Sequence, residues 1–195
     1  MRARSSSLRA TVSGGRAIVG PTRTASGKFG RALSFDGSND LVTVADAAAL
    51  HLTSGITLET WVNPSRLTGW RTAVLKEQSA GLAWSLYANT DTNRPSAHVF
   101  TTAESEIRGS ATLPLGAWSH LAMTYEGTTL RLYVNGTLVG TRAATGALAS
   151  TTQPLRFGGN GVWSEWFEGS MDEIRIYGRA LSAAEIQADM ARPVT

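Results

Sequence analysis

The chain of 195 residues has a formal net charge of +3, with 42% hydrophobic residues, 17% charged residues and no cysteine. These proportions exclude an intrinsically disordered chain, and the lack of cysteine excludes a disulfide framework and a thiolate metal site. No apolar run approaches the roughly 18 residues that a membrane helix needs, so we expect no membrane partner. A chain of this length fits one β-sandwich or barrel with a full core.

The positive charge is concentrated near the start of the chain. The first 31 residues hold seven basic residues and no acidic residue, which leaves 11 basic and 15 acidic residues for the remainder. This segment lacks the apolar core of a secretory signal, and its Arg- and Ser-rich composition fits a transit peptide, a nucleic-acid-binding arm or a loop-rich lead-in. We favour a lead-in over residues 1–26, with one weak strand between Thr11 and Val19, and expect no nucleic-acid partner.

From Leu33 onward, hydrophobic and polar residues alternate and turn residues interrupt the alternation at short intervals. Many short strands of this kind predict an all-β sandwich of two antiparallel sheets. Large rings inside such strands are usually core residues, which we expect for Trp61, Trp84 and Trp118. The predicted strands are Leu41–Asp46, Ile56–Asn63, Thr72–Glu77, Leu82–Ala88, Ser96–Thr101, Trp118–Glu126, Thr129–Gly136 and Thr137–Arg142.

The clearest hairpin signal is Asn135-Gly136, which lies between two alternating hydrophobic runs. Asn-Gly supplies the two positive φ angles of a type I′ turn, whose twist matches that of the flanking strands. We therefore predict a tight hairpin there.

One helix is predicted, at the end of the chain. Ser182 and Glu185 have the spacing of a capping box, and Leu181 and Ile186 have that of a hydrophobic staple. The helix should run from about Ala183 to Met190 and end before Pro193.

Six stretches resemble, in order, the LamG-like branch of the concanavalin A-like lectin/glucanase superfamily. The resemblance implies a jelly roll of two antiparallel sheets, one of them concave, and we assign residues 27–195 to this domain. The stretches are "GKFGRALSFDGSNDLVTV" (27–44), "GITLETWVNP" (55–64), "WRTAVLKE" (70–77), "LGAWSHLAMTYEGTTLRLYVNGTLVG" (115–140), "LRFGGN" (155–160) and "FEGSMDEIRIYGRALSAAEI" (167–186).

The resemblance departs from the family at the N-terminus. Family members begin with a strand that pairs near the final strand, whereas "LRATVSGG" (8–15) matches only the loop that follows such a strand. We therefore expect a truncated domain of a larger protein, with an unpaired edge at Ile174–Tyr177. An unpaired edge tends to recruit another chain, so a homodimer through this edge is predicted.

Aspartates in two of these motifs are candidate metal ligands. The resemblance implies a structural Ca²⁺ held by Asp36 and Asp172, with Asp40 as a further ligand, and oxygen donors of this kind suit calcium. In the alternative, Asp36 caps a turn and Asp172 accepts backbone hydrogen bonds. The neighbouring Glu173 should face the other way and pair with an arginine such as Arg175.

Loop tryptophans are candidate sugar-binding residues. Trp163 and Trp166 lie in the loop before the final strand, and Trp70 lies in an earlier loop. Indole rings present an apolar face that can stack on a pyranose ring. In the alternative, Trp163 or Trp166 folds back over the edge of the sandwich.

No catalytic set stands out in the sequence, and we assign no catalytic residue. Glu104 and Glu106 are the nearest approach to the paired carboxylates of a glycosidase, and their flanks are typical of a solvated hairpin. A lyase could use His98 with Tyr87 and Arg108.

Three functions remain open at this point. The first is a non-catalytic carbohydrate-binding or adhesion module of an extracellular or cell-surface, bacterial-type protein. The second is a glycan-active enzyme, either a polysaccharide hydrolase or a lyase. The third is a structural or interaction domain whose basic arm binds a polyanion.

Overall fold

A computed structural model describes residues 16–194. Besides a 3-10 helix at Ala48–Leu50, this part of the chain forms one α-helix, α1 (Ala183–Met190), and a succession of short strands. The strands are β1 (Arg16–Val19), β2 (Thr22–Thr24), β3 (Ala32–Asp36), β4 (Leu41–Val44), β5 (Ile56–Pro64), β6 (Arg71–Gln78), β7 (Gly81–Asn89), β8 (Ser96–Phe100), β9 (Glu104–Arg108), β10 (Ser119–Tyr125), β11 (Thr129–Val134), β12 (Thr137–Ala143), β13 (Leu155–Phe157) and β14 (Glu168–Tyr177).

The strands form two seven-stranded antiparallel sheets. Sheet I has the order β1-β4-β13-β6-β7-β8-β9, and sheet II has the order β12-β11-β10-β5-β14-β3-β2. Neighbours in space are often distant in sequence, as where β14 pairs with β5 and β3. This is the two-sheet jelly-roll sandwich that the sequence predicts.

The core lies between the two sheets. From sheet I, the residues Trp84, Leu86 and Ala88 of β7 enter the same buried cluster as Leu121 and Met123 of β10 in sheet II. Successive side chains of a strand point to opposite faces. The residues between them on β7 therefore point outward from sheet I.

The three strand tryptophans have different environments. Trp84 lies in the core as predicted, with 1% of its surface exposed. Trp61 is also buried, but it lies on the outer face of sheet II, where its ring contacts His120 and the Lys28 ammonium. Trp118 is part-exposed and precedes β10. Trp84 and Trp61 are therefore buried as expected, although only Trp84 lies between the sheets, and the expectation is wrong for Trp118.

The N-terminal segment contributes strands to both sheets. β1 pairs with β4 in sheet I, and β2 pairs with β3 in sheet II. The predicted boundary at residue 27 therefore falls within paired structure. Only the end of the predicted weak strand, from Arg16 onward, lies within the described residues.

The last strand is paired on both sides for only part of its length. Residues Glu168–Met171 pair with β3, and the strand pairs with β5 up to Tyr177. Beyond Met171 no strand among the described residues lies on the β3 side, and Arg175 there donates to the Asp189 carbonyl of α1. A homodimer through this edge stays a prediction.

The local turn and cap signals are confirmed. Asn135 and Gly136 have φ angles of +49° and +74°, as a type I′ turn requires. Helix α1 spans Ala183–Met190 with the full Ser182/Glu185 capping box.

Across residues 16–194, no helix is both long and apolar enough to cross a membrane.

Candidate functional site

The outward-pointing side chains of β7, β8 and β9 form a surface that we call the polar face. Its members alternate with core residues along each strand, and Trp70 and Thr72 join them from the loop before β6 and from β6 itself. The face consists of Trp70, Thr72, Ser85, Tyr87, Ser96, His98, Glu104, Glu106 and Arg108.

His98 is fixed at the centre of this face by two hydrogen-bond partners. Its Nε2 lies 2.8 Å from the Ser96 hydroxyl, and its Nδ1 lies 2.7 Å from a Glu104 carboxylate oxygen. Only 3% of its surface is exposed. Ser96 and Glu104 therefore hold the imidazole in one orientation.

The rings of Trp70 and Tyr87 cluster with that of His98. The ring centroids of Trp70 and Tyr87 are 5.1 Å apart, and those of Tyr87 and His98 are 5.2 Å apart. The Arg108 guanidinium lies 5.5 Å from the Trp70 ring centroid. The partly exposed indole of Trp70 is thus supported from below by aromatic rings and flanked by a cation.

The loop of residues 159–166 is tied to the polar face by buried hydrogen bonds. The Tyr87 hydroxyl donates to Glu165 at 2.8 Å, and the Asn160 amide donates to both Glu165 and the Thr72 hydroxyl at 2.8 Å. Next to Asn160, the Gly161 N–H donates to Glu77 at 2.7 Å. Tyr87, Thr72 and Asn160 are all buried, so these bonds fix the loop to sheet I.

The two loop tryptophans differ in exposure. Trp163 exposes 45% of its surface, and its backbone N–H donates to Asn160 Oδ1 at 2.7 Å. The Trp166 ring packs against Gly159, where a Cβ atom would lie only 2.4 Å from the ring, and its carbonyl accepts from Arg71. Ser164, between them, has a φ of +58°, which is uncommon for a residue other than glycine.

The predicted calcium ligands occupy two separate places. Asp36 lies opposite Glu168 in the β3–β14 pair, whereas Asp172 lies four residues further along β14, opposite Trp61. At about 3.3 Å per residue, Asp36 and Asp172 are about 13 Å apart along the strand. Among the described residues, no group of three histidine, aspartate or glutamate side chains could hold a metal ion.

The aspartates have hydrogen-bond partners that account for them. Asp36 Oδ1 accepts from the Ser38 N–H at 2.8 Å, and this bond lowers the pKa of Asp36. Asp40 Oδ2 accepts from the Asp36 N–H, and Asp172 accepts from the Phe29 and Glu173 N–H groups, each at 2.9 Å. A single calcium ion shared by Asp36 and Asp172 does not fit this arrangement. Calcium binding by the protein stays untested.

The surroundings of Glu104 and Tyr87 shift the pKa values of both side chains. The hydrogen bond from His98 lowers the pKa of Glu104, so this carboxyl is ionised at neutral pH. Burial, together with the negative charge of Glu165, raises the pKa of the Tyr87 phenol. Tyr87 therefore acts as a hydrogen-bond donor at neutral pH.

A second group of polar side chains lies on the outer face of sheet II, beneath α1. Glu59 and His120 are completely buried there, and none of their side-chain polar atoms has a hydrogen-bond partner among residues 16–194. Burial, followed by the nearby charge of Asp189, raises the pKa of Glu59 to about 8. Burial, followed by the charge of Arg175, lowers the pKa of His120 to about 4.

Arg175 also pairs with Glu173 at 3.1 Å, as predicted.

The sequence singled out several residues of the polar face but not those that fix its loop. Trp70, Tyr87, His98, Glu104, Glu106 and Arg108 were each candidates, and the structure brings them together. Thr72, Asn160 and Glu165 were missed. Thr72 and Glu165 are 93 residues apart in the chain, and no local pattern links them.

A family model described as the concanavalin A-like lectin/glucanases superfamily matches residues 36–187. The match covers well over half of the chain. The protein belongs to this superfamily. Among the curated proteins compared with it, none matches significantly.

Several solved binding domains have a fold similar to that of this chain. Domain 4 of AbnA, a GH43 extracellular arabinanase from Geobacillus stearothermophilus in complex with arabinotriose, has a TM-score of 0.76 and 22% identity over 88% of this chain and 81% of that chain. The binding domain of Paraclostridial Mosquitocidal Protein 1 has a TM-score of 0.73 and 16% identity, covering 90% of this chain and 47% of that one.

The botulinum neurotoxin serotype G binding domain is similar too, with a TM-score of 0.69 and 14% identity over 90% of this chain and 46% of that chain. The chain thus spans about half of each toxin binding domain. At these identities the likeness concerns the fold.

Proposed function

We propose that the protein is a non-catalytic carbohydrate-binding module whose ligand lies on the polar face and stacks on Trp163 and Trp70. The observation that carries this proposal is the exposed indole of Trp163, held on a loop that buried hydrogen bonds fix to sheet I. A large apolar ring left 45% exposed on a fixed loop is suited to a ligand with an apolar surface.

The surroundings of Trp70 support the same function. Carbohydrates offer hydroxyl groups around an apolar ring face, and a site for them combines aromatic platforms with a few placed polar groups. Trp70 has the Arg108 guanidinium beside its ring, and Glu104 and Glu106 lie on the same strand as Arg108, β9. Trp166 is a weaker candidate because its ring packs against Gly159.

The pKa directions favour binding over catalysis. A glycosidase acid needs a carboxyl whose pKa is raised so that it carries a proton at neutral pH, and the pKa of Glu104 is lowered. A lyase that used Tyr87 as its base would need a lowered phenol pKa, and that pKa is raised. Both shifts leave these groups as hydrogen-bonding residues.

The comparisons support a binding role of this kind in an extracellular or cell-surface protein. One structurally similar domain belongs to an extracellular arabinanase and was solved with arabinotriose, and others are toxin binding domains. Arabino-oligosaccharides are therefore the first ligands to test, followed by a wider panel of glycans.

The test is calorimetric titration of the protein with arabinotriose and with hits from a glycan array. We expect Trp163→Ala to weaken binding by about tenfold or more, equal to about 1.4 kcal/mol. Leu138→Ala is the matched control, because Leu138 is also exposed (49%) but lies on β12 at the edge of sheet II. Affinity retained in both Trp163→Ala and Trp70→Ala would contradict the site.

The same samples separate a binding module from an enzyme. Each polysaccharide that binds is incubated with the protein and assayed for new reducing ends and for unsaturated products. We expect neither to form. Product formation that is lost in His98→Ala would establish catalysis on this face instead.

A further inference from the structure

We propose that the polar face selects uncharged glycans and rejects polysaccharides that carry uronate or sulfate groups. This inference rests on the proposed carbohydrate-binding function and adds the chemical class of the ligand. It is argued from the charges on and around the face.

The arginine of the face, Arg108, and an arginine beside the face, Arg156, are already neutralised by carboxylates. Arg108 Nε lies 2.5 Å from Glu106, and its Nη1 lies 2.7 Å from Asp91. Arg156, on β13 at the other side of the face, has its Nε 3.2 Å from Glu77. Neither guanidinium is free to form a bidentate pair with an anionic sugar.

The carboxylates outnumber these cations. Besides those paired with arginine, Glu104 is bonded to His98, and Glu165 is bonded to the neutral donors Tyr87 and Asn160. The guanidinium of Arg71, which donates to the Trp166 carbonyl, is buried. A uronate placed between Trp70 and Trp163 would therefore approach carboxylates with no exposed, unpaired cation of the described residues beside them. Like charges at short range repel, and the repulsion is strongest where water is excluded.

An uncharged sugar meets a favourable arrangement in the same place. Its hydroxyl groups can donate to the carboxylate oxygens of Glu104 and Glu106. An ionised carboxylate accepts hydrogen bonds and donates none. Glu104 is kept ionised by the hydrogen bond from His98. The carboxylates that repel an acidic glycan are therefore acceptors for a neutral one.

Net charge alone would suggest the opposite class of ligand. The chain is basic, with a net charge of +3, but seven of its 18 basic residues lie in the first 31 residues. Near the β9 side of the face, Arg94 and Arg142 are exposed and have no ion-pair partner among the described residues. Arg142 lines a groove of about 410 Å³ between β9 and β12, together with Glu106 and Arg108. These arginines are the places where an acidic glycan could bind outside the tryptophan site.

The experiment compares acidic polysaccharides with their own carboxyl-reduced, neutral forms, which keep the same backbone. Binding to each pair is measured at low salt, alongside arabinotriose and a panel of neutral glycans. We expect every binder whose affinity depends on Trp163 to be neutral, with its acidic counterpart bound at least about tenfold more weakly. An acidic glycan that binds as tightly as its reduced form, and loses affinity in Trp163→Ala, would overturn the inference and leave the proposed function standing.

Two variants separate the remaining outcomes. Asp91→Asn removes the carboxylate beside Arg108 Nη1 and lowers the negative charge at this edge of the face, so the preference for the neutral form should shrink; an unchanged preference would contradict the role given to these charges. Acidic binding that disappears in an Arg94→Gln/Arg142→Gln variant or at high salt, but persists in Trp163→Ala, is edge binding and agrees with the inference. Failure of every glycan, neutral and acidic, to bind would refute the proposed function itself.

Discussion

The Tyr87 hydroxyl donates a hydrogen bond of 2.8 Å to Glu165, and this bond joins the middle of sheet I to the loop that carries Trp163. The two residues are 78 positions apart in the chain. Tyr87 is 1% exposed, so the bond is shielded from water at its tyrosine end. This buried contact therefore joins two features that bind sugar in our proposal, the aromatic cluster and the loop with the exposed indole.

Removing this contact should loosen the loop and weaken binding together. We expect Tyr87→Phe to lower the free energy of unfolding by about 1–3 kcal/mol, the usual effect of losing a hydrogen bond to a charged group. Amide hydrogen exchange in residues 159–166 should become faster, and glycan affinity should fall. Tyr133→Phe is the matched control, because Tyr133 is buried in sheet II beneath α1 and no hydrogen bond of its hydroxyl occurs among the described residues. Equal effects of the two variants would contradict the role of the Tyr87–Glu165 bond.

The aspartates should act as acceptors for backbone N–H groups and not as a shared calcium site. We expect the melting temperature to be the same in EDTA and in millimolar Ca²⁺, because Asp36 of β3 lies opposite Glu168 whereas Asp172 lies four residues further along β14. Asp36→Ala should lower the melting temperature by the same small amount under both conditions, through loss of the bond from the Ser38 N–H. A ligand that binds only the native state raises the melting temperature, so a calcium-dependent rise would show that the ion binds.

Features that depend on neighbours in sequence could be predicted, and features that depend on the crossing of distant strands could not. Asn135-Gly136 and the Ser182/Glu185 box encode their own geometry, and both formed as expected. The alternation of hydrophobic and polar residues in β7 placed Tyr87 correctly on a strand. It could not show that the Tyr87 hydroxyl would donate a hydrogen bond to Glu165. The family resemblance implied convergence of Asp36 and Asp172, whereas the β3–β14 register separates them.

The capping box offers a stability test of the C-terminal helix. Ser182 Oγ accepts from the Glu185 N–H at 3.3 Å, and Glu185 accepts from the Ser182 N–H at 2.8 Å. Ser182→Ala should lower the free energy of unfolding by about 1 kcal/mol. Ser170→Ala, in strand β14, serves as a control away from the helix. Urea unfolding measures both, and an unaltered midpoint for Ser182→Ala would mean that packing of Leu181 and Ile186 alone holds α1 in place.

Stability should decline as the pH rises from 6.5 to 8, because of Glu59. Its pKa is raised from 4.5 to about 8 in the folded protein, so the folded state holds a proton that the unfolded state has released. That contribution is complete below pH 4.5 and is lost as the pH rises to 8. The lowered pKa of His120, about 4 against 6.5, acts in the opposite direction and only below pH 6.5. Between pH 6.5 and 8 the effect of Glu59 is therefore not opposed by His120, and the free energy of unfolding falls by no more than about 1.4 kcal/mol per pH unit.

The test is urea unfolding at a series of pH values. We expect Glu59→Gln to abolish the decline, whereas Glu126→Gln, which alters an exposed pair with Arg131, should retain it. A decline that persists in Glu59→Gln would assign the effect to another group.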